Sequence, residues 1–267
     1  MPNIDRNGRT LHYDVSGKGS EAILFLNSLG TSLTMWDAQA EALASDFRII
    51  RFDWPGHGKS HGANAESATG SEASIAVLVA DALAVLDAAG VQRAHVAGLS
   101  LGGLVAQAMA LEAPERVASL MLCATSAAFQ PPDLWAARAA TVLREGMEPM
   151  VVASRPRWFT PAFLDAQADV AEQLFATLRA VDPTGYAYCC MVLGNTDLRS
   201  RLEGLAVSTL LIAGADDPAT PPAKLEEIGK LLQNARLVTL EKAAHILNVE
   251  QAEQTTSLIR LFVQSLR

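Results

Sequence analysis

Ser100, Asp216 or Asp217, and His245 are the residues whose types and order in this sequence suit covalent chemistry. Ser100 lies in Gly98-Leu99-Ser100-Leu101-Gly102-Gly103, with a glycine two positions to either side. That spacing suits a sharp strand-to-helix turn, in which side chains at the glycine positions would clash and the serine is pushed into the open. A hydroxyl is a poor nucleophile near neutral pH until a base takes its proton as attack proceeds. An ionised carboxylate behind the base fixes the imidazole tautomer and steadies the imidazolium. His245, in Glu241-Lys242-Ala243-Ala244-His245-Ile246-Leu247, is the candidate base and the only histidine of the C-terminal half. Asp216 and Asp217, in Gly214-Ala215-Asp216-Asp217-Pro218-Ala219-Thr220-Pro221, are the candidate acids. A plain helix cap before Pro221 is the structural alternative for either of them.

Acyl transfer through Ser100 also develops negative charge on an oxygen, which needs N–H donors aimed at it. The elbow supplies the N–H of Leu101, and the loop after the first buried strand supplies that of Leu29, with Ser28 shaping the loop. His12, His57, His61 and His95 lie far apart and give no metal-ligand spacing. His57 reads as bonded within its Gly-rich turn and Asp53 as a brace for that turn. The isolated Gly-x-Gly patterns lack the lysine-serine pair or distal acid of a nucleotide site.

These residues need a scaffold that brings distant loops together. Ala22 to Leu26 is apolar without alternation, which marks a strand covered on both faces. Phe47 to Asp53, Arg93 to Ala97 and Val117 to Cys123 read as further strands, separated by helices over Met35 to Leu43, Ile75 to Ala89 and Leu104 to Glu112. That rhythm predicts an α/β fold, a mostly parallel central sheet with helices on both faces and right-handed crossovers. Thr10 to Val15 alternates polar and apolar and reads as an exposed antiparallel strand, and His61 to Gly70 as a polar surface excursion. From Thr125 to about Leu205 the pattern is helical only, broken by Pro131, Pro132, Pro149, Pro156, Pro161 and Pro183. The expected organisation is a core of residues 1–125 and 206–267 with a helical cap, 126–205, inserted in it. Strands resume at Ser208 to Ala213 and Arg236 to Leu240, and a last helix spans Gln251 to Ser265. Parallel strands put all their carboxyl ends on one edge, so Ser100, the acid and His245 are expected there together.

Composition excludes several classes of partner. The 267 residues suffice for one large core, and 50% hydrophobic content argues against disorder. A formal net charge of −8, without a basic patch, argues against nucleic acid and anionic membrane. Cys123, Cys189 and Cys190 form no ligand set and no paired framework, which suits a reducing compartment. The polar N-terminus lacks the apolar core of a signal peptide and no run is long enough to cross a bilayer, so a soluble cytoplasmic protein is expected.

The order serine, acid, histidine at successive strand ends is that of the α/β-hydrolases, and the chain resembles that superfamily over nearly its whole length. It is most similar to its 3-oxoadipate enol-lactonase branch, in Leu26-Asn27-Ser28-Leu29-Gly30-Thr31 with Met35-Trp36-Asp37, and in Arg51-Phe52-Asp53-Trp54-Pro55-Gly56-His57-Gly58-Lys59-Ser60. The elbow, Ile212 to Gly214 with Asp217 and Thr220-Pro221, and Ala243 to Gln251 carry it further. So do Trp135 to Arg138, Gly146-Met147 and Arg157 to Thr160 in the cap stretch. Many members of the superfamily have His-Gly where this chain has Asn27-Ser28. The resemblance places the acid at Asp217, three residues after Gly214. It implies hydrolysis of a small lactone bearing a free carboxylate, with no metal or organic cofactor. It also implies a cation for that carboxylate, and Arg138, one helical turn beyond Trp135, is the candidate, with Trp135 as a pocket wall. A broad carboxylesterase or other lactonase, a cofactor-free haloperoxidase-like enzyme and a non-catalytic hydrolase-fold binding protein are the alternatives. A dehalogenase is disfavoured because Ser100 stands where that chemistry needs a carboxylate.

Overall fold

A computed structural model describes residues 2–62 and 73–267 of the chain. Eight strands form one sheet: β1 (Asn3–Arg6), β2 (Arg9–Ser16), β3 (Ala22–Leu26), β4 (Arg48–Phe52), β5 (Ala94–Leu99), β6 (Val117–Cys123), β7 (Thr209–Gly214) and β8 (Ala235–Leu240). Their spatial order is β1-β2-β4-β3-β5-β6-β7-β8. The pairs β1–β2 and β2–β4 are antiparallel, and every pair from β4–β3 through β7–β8 is parallel. Strands β3, β5 and β7 are buried at every residue, as strands with helices on both faces must be.

The core helices are α1 (Asp37–Leu43), α2 (Ile75–Ala88) and α3 (Leu101–Glu112). Between β6 and β7 lie α4 (Pro132–Glu145), α5 (Glu148–Trp158), α6 (Pro161–Ala166), α7 (Ala168–Arg179), α8 (Pro183–Asn195) and α9 (Arg199–Leu202). The chain then adds α10 (Pro222–Leu231), α11 (Leu247–Glu250) and α12 (Ala252–Gln264). The last helix expected over Gln251 to Ser265 is α12, and the short α11 precedes it, the two divided at Gln251, whose φ of −120° and ψ of 52° leave the helical region. Most prolines of the β6–β7 connection start helices rather than break them: Pro132, Pro149, Pro161 and Pro183 sit in first turns, where a missing N–H costs nothing. Pro156 alone lies inside a helix.

Strand β2 is less exposed than its alternation suggested. It is paired along both edges, and Leu11, His12 and Tyr13 are buried. Its partner β1 is too polar to read as a strand, yet Asn7-Gly8 between them, with φ of 49° and 75°, is a strong hairpin signal. Residues 63–70 of the expected surface excursion lie outside the described residues.

The hairpin is tied to α2 by a buried ion pair, in which Arg6 Nε donates to Asp81 at 3.0 Å and Arg9 donates to both its oxygens at 2.6 and 2.8 Å. Asp81 is fully buried. Asp81→Ala leaves two guanidiniums without their counter-charge and is expected to lower stability by about 3 kcal/mol. The check is a fall in the urea midpoint at unchanged m-value.

Candidate active site

Strand β3 has β4 on one side and β5 with all later strands on the other, so the direction of chain progression reverses between β3 and β5. Such a reversal opens a crevice at the carboxyl edge of a parallel sheet. Leu26 of β3 stands opposite Gly98 of β5, which sets the Leu29 loop beside the Ser100 turn.

Ser100 has φ 56° and ψ −112°, a conformation that side chains rarely adopt and that a tight turn from β5 into α3 imposes. A Cβ on Gly98 would lie 2.2 Å from the Gly102 carbonyl oxygen, and one on Gly102 would lie 2.2 Å from that of Leu26. The turn is pinned on both sides: the Ser100 N–H donates to Cys123 O at 3.0 Å, and the Thr125 hydroxyl donates to Ser100 O at 2.7 Å.

Of the two acidic candidates, Asp216 is exposed and Asp217 is buried. Asp217 does not cap the helix that follows: α10 starts after Pro221 with no side-chain cap bond. The Asp217 Oδ1 accepts the N–H groups of Ala219 at 2.8 Å and Thr220 at 3.0 Å, closing a local turn. Its Oδ2 lies 2.9 Å from Nδ1 of His245 and accepts the Thr220 hydroxyl at 2.6 Å. Burial alone would raise the Asp217 pKa, but the His245 charge and hydrogen bond, with the Thr220 donors, outweigh it and bring it down to about 2. The carboxylate therefore stays ionised beside the imidazole.

His245 is held by its main chain as well. Its N–H donates to Arg157 O at 3.3 Å and the next N–H, of Ile246, donates to Trp158 O at 3.0 Å, so the end of α5 carries the loop after β8. Glu250 adds to the tie: Oε2 accepts the Ala244 N–H at 2.8 Å and Oε1 the Thr160 N–H at 3.0 Å. Ser100 and His245 face one cavity, with no hydrogen bond between their side chains. Serine–base contacts commonly tighten only when substrate is bound.

Leu29 lines the same cavity, and Leu101 is the first residue of α3, where an N–H has no intrahelical acceptor. Neighbouring donors are occupied: the Ser28 N–H meets Met35 Sδ at 3.3 Å and the Gly102 N–H meets Asn27 O at 3.1 Å. Asn27 is fully buried and its Nδ2 donates to Phe52 O at 2.7 Å, locking the end of β3 to the end of β4.

The cavity measures about 230 Å³ and reaches up to α4, α5 and α8. Trp135 and Arg138 of α4 both line it, as do Arg157 and Tyr186. The Trp135 Nε1–H donates to Phe129 O at 2.8 Å, and the Arg138 guanidinium stacks 4.7 Å above the Trp135 ring centroid. Its side chain also lies beside the Tyr186 hydroxyl, whose pKa burial pushes well up, so that hydroxyl keeps its proton.

A profile of the alpha/beta hydrolase fold family matches residues 21–252. This chain belongs to the α/β-hydrolase family. Two relatives are 3-oxoadipate enol-lactonases 2 and 1 of Acinetobacter baylyi, 34% and 31% identical over 91% and 98% of this chain and 89% and 96% of their own lengths. The crystal structure of the enol-lactonase from Burkholderia xenovorans LB400 matches with a TM-score of 0.92 at 34% identity, covering 98% of this chain and all of that one.

In this α/β-hydrolase several further residues surround the site. Thr220, Arg157, Tyr186 and Lys224 were not singled out for a role from the sequence. An Asp followed three residues on by Thr was a readable signal for a turn closed on Asp217. Arg157 and Tyr186 had no such local signal, because only the packing of α4, α5 and α8 brings them to the cavity. Asp53 braces its own turn as expected, Oδ1 accepting the Leu33 N–H at 2.6 Å and Oδ2 the Lys59 N–H at 2.9 Å. His57 Nδ1 bonds Pro55 O at 3.1 Å, and burial lowers its pKa to about 4, so the ring is neutral. Among the described residues no group of three or more potential metal ligands occurs, and no helix is long and apolar enough to cross a membrane.

Proposed function

We propose that the ester bond hydrolysed by this enzyme is that of a small lactone carrying a free carboxylate, with 3-oxoadipate enol-lactone as the substrate. The observation that carries this reading is the charge of the cavity. In a chain of net charge −8, its lining holds Arg138, Arg157 and Lys224 and neither an aspartate nor a glutamate. Cations gathered around a reacting centre concentrate anionic substrates there. The cavity volume of about 230 Å³ is below the roughly 300–1,000 Å³ of sites for drug-sized ligands, which suits a small ring rather than a long acyl chain. The enol-lactonase relatives support the same substrate.

In the proposed mechanism Ser100 attacks the lactone carbonyl as His245 takes its proton, and Asp217 orients the imidazole. The N–H groups of Leu29 and Leu101 hold the developing oxyanion. Collapse breaks the ring C–O bond, and His245 returns the proton to the departing enol oxygen, which relaxes to the ketone. Water, activated by His245, then frees the acid and restores Ser100. Residues 126–205 act as a cap that carries Trp135 as a wall and Arg138 as the carboxylate partner. Stacking on Trp135 fixes the plane of the Arg138 guanidinium before substrate arrives, which favours a two-oxygen grip.

Arg138→Met is the test. The preference in kcat/KM for the enol-lactone over a neutral ester such as 4-nitrophenyl acetate is expected to fall about 10- to 100-fold, mostly through KM. Equal losses on both substrates would remove Arg138 from carboxylate binding. A second reading, a broad carboxylesterase on the same serine, would show no preference for the carboxylate in the unsubstituted enzyme.

A further inference from the structure

We propose that Arg157 is the second guanidinium of a two-arginine clamp, gripping the same substrate carboxylate as Arg138 and setting selectivity for acids over neutral esters. The inference rests on the substrate reading above and names a residue that the sequence did not single out for it.

Most arginines of this protein have a carboxylate partner. Arg9 pairs with Asp81, Arg51 with Asp14 and Asp37, and Arg116 with Asp87. Arg138 and Arg157 have none among the described residues, although both are half-buried and line the cavity over Ser100. Arg157 uses only Nε within the protein, donating to Ala153 O one turn back at 2.8 Å. That bond fixes the side chain along α5 and leaves both Nη groups without an acceptor among the described residues.

The pair is costly as it stands. Burial first, and then the nearby Arg138 charge, lower the Arg157 pKa. Two like charges in a partly desolvated pocket repel, and a single anion between them turns that repulsion into attraction for both. A planar carboxylate fits because each guanidinium offers donors in a fixed fork. The Tyr186 hydroxyl lies within the field of both arginines and adds a neutral donor at the same place.

Arg157 also differs from Arg138 in where its main chain goes. Its carbonyl accepts the N–H of His245 at 3.3 Å. A side-chain substitution leaves that carbonyl in place, so a specific loss of anion binding and a general disturbance of His245 separate by substrate. The first lowers kcat/KM for the acid far more than for the ester; the second lowers kcat for both alike.

The experiment compares steady-state kinetics of the unsubstituted enzyme, Arg157→Gln and Arg157→Lys on 3-oxoadipate enol-lactone and on 4-nitrophenyl acetate. Arg157→Gln is expected to lower the lactone-to-ester ratio of kcat/KM about 10- to 100-fold, with the larger part in KM. Arg157→Lys restores the charge without the fork and is expected to recover part of that ratio. An unchanged ratio in Arg157→Gln, or equal losses in kcat on both substrates, would overturn the clamp while leaving the substrate reading standing. An unsubstituted enzyme with no preference for the lactone would overturn both.

Discussion

Ser100→Ala is expected to lower kcat on an activated ester about 10⁶-fold, the largest effect of any single substitution in this protein. The reason lies in the turn rather than in the residue alone. With φ at 56°, the backbone lifts the side chain off the end of β5 into the cavity, and no neighbouring hydroxyl occupies an equivalent conformation. Ser28, Ser126 and Ser154 line the cavity too, but Ser28 belongs to the β3 loop, Ser154 to the interior of α5, and the Ser126 hydroxyl is committed to Ala128 O at 2.8 Å. Alanine meets the same backbone strain as serine, so the fold is expected to hold and the melting temperature to stay within a few degrees. Under the proposed mechanism the N–H donors of Leu29 and Leu101 remain and would account for residual turnover above the rate in water. Labelling by an organophosphonate, with the modified peptide found by mass spectrometry, checks the assignment. Phosphonate on any other residue, or activity retained within tenfold, would contradict it.

Asp217→Asn carries the second-largest expected effect, a fall in kcat of about 10⁴-fold. The amide is nearly isosteric and can keep the turn bonds from Ala219 and Thr220, but it presents a neutral group to Nδ1 of His245 at a distance of 2.9 Å. The imidazole then loses both the charge that steadies it when protonated and the acceptor that fixes its tautomer. The signs of the pH effects follow from the depressed pKa of about 2. A carboxylate whose folded pKa is below its unfolded value of about 3.9 stabilises the fold fully above about pH 5, and that contribution is lost as pH falls through about 2. Unfolding free energy plotted against pH should therefore separate the original protein from Asp217→Asn above pH 4 and bring the curves closer toward pH 2. Asp217 should contribute no step to the pH–rate profile above about pH 3. A difference in stability independent of pH would place the effect in packing instead.

The part of the site legible in the sequence is the part that strand ends dictate. Gly98-x-Ser100-x-Gly102, the Asp217 loop and the His245 loop each follow an apolar run, and parallel strands deliver all such loops to one edge. Between Asp216 and Asp217 only the resemblance chose, since alternation along a loop has no fixed period; in the fold Asp217 is buried and Asp216 exposed. The β1–β2 hairpin was missed because Asn3–Arg6 buries little, although Asn7-Gly8 marked it. In the β6–β7 connection, prolines mark where helices begin, but nothing local says which faces meet. Arg138 and Arg157 are 19 positions apart on different helices, so their meeting at one cavity depends on packing between α4, α5 and α8. Arg157 follows Pro156 inside α5, which obscures the helical period at the point where it would have helped.

The measurement that bears most directly on the substrate is ring opening of 3-oxoadipate enol-lactone, followed as loss of its ultraviolet absorbance beside hydrolysis of 4-nitrophenyl acetate, with Ser100→Ala as control. Rapid opening of the lactone, slow turnover of the ester and turnover about 10⁶-fold lower in the control are the expected results. Turnover of the ester as fast as the lactone, with the control reduced to the same extent, would keep the serine chemistry but contradict an enzyme whose cavity selects a carboxylate.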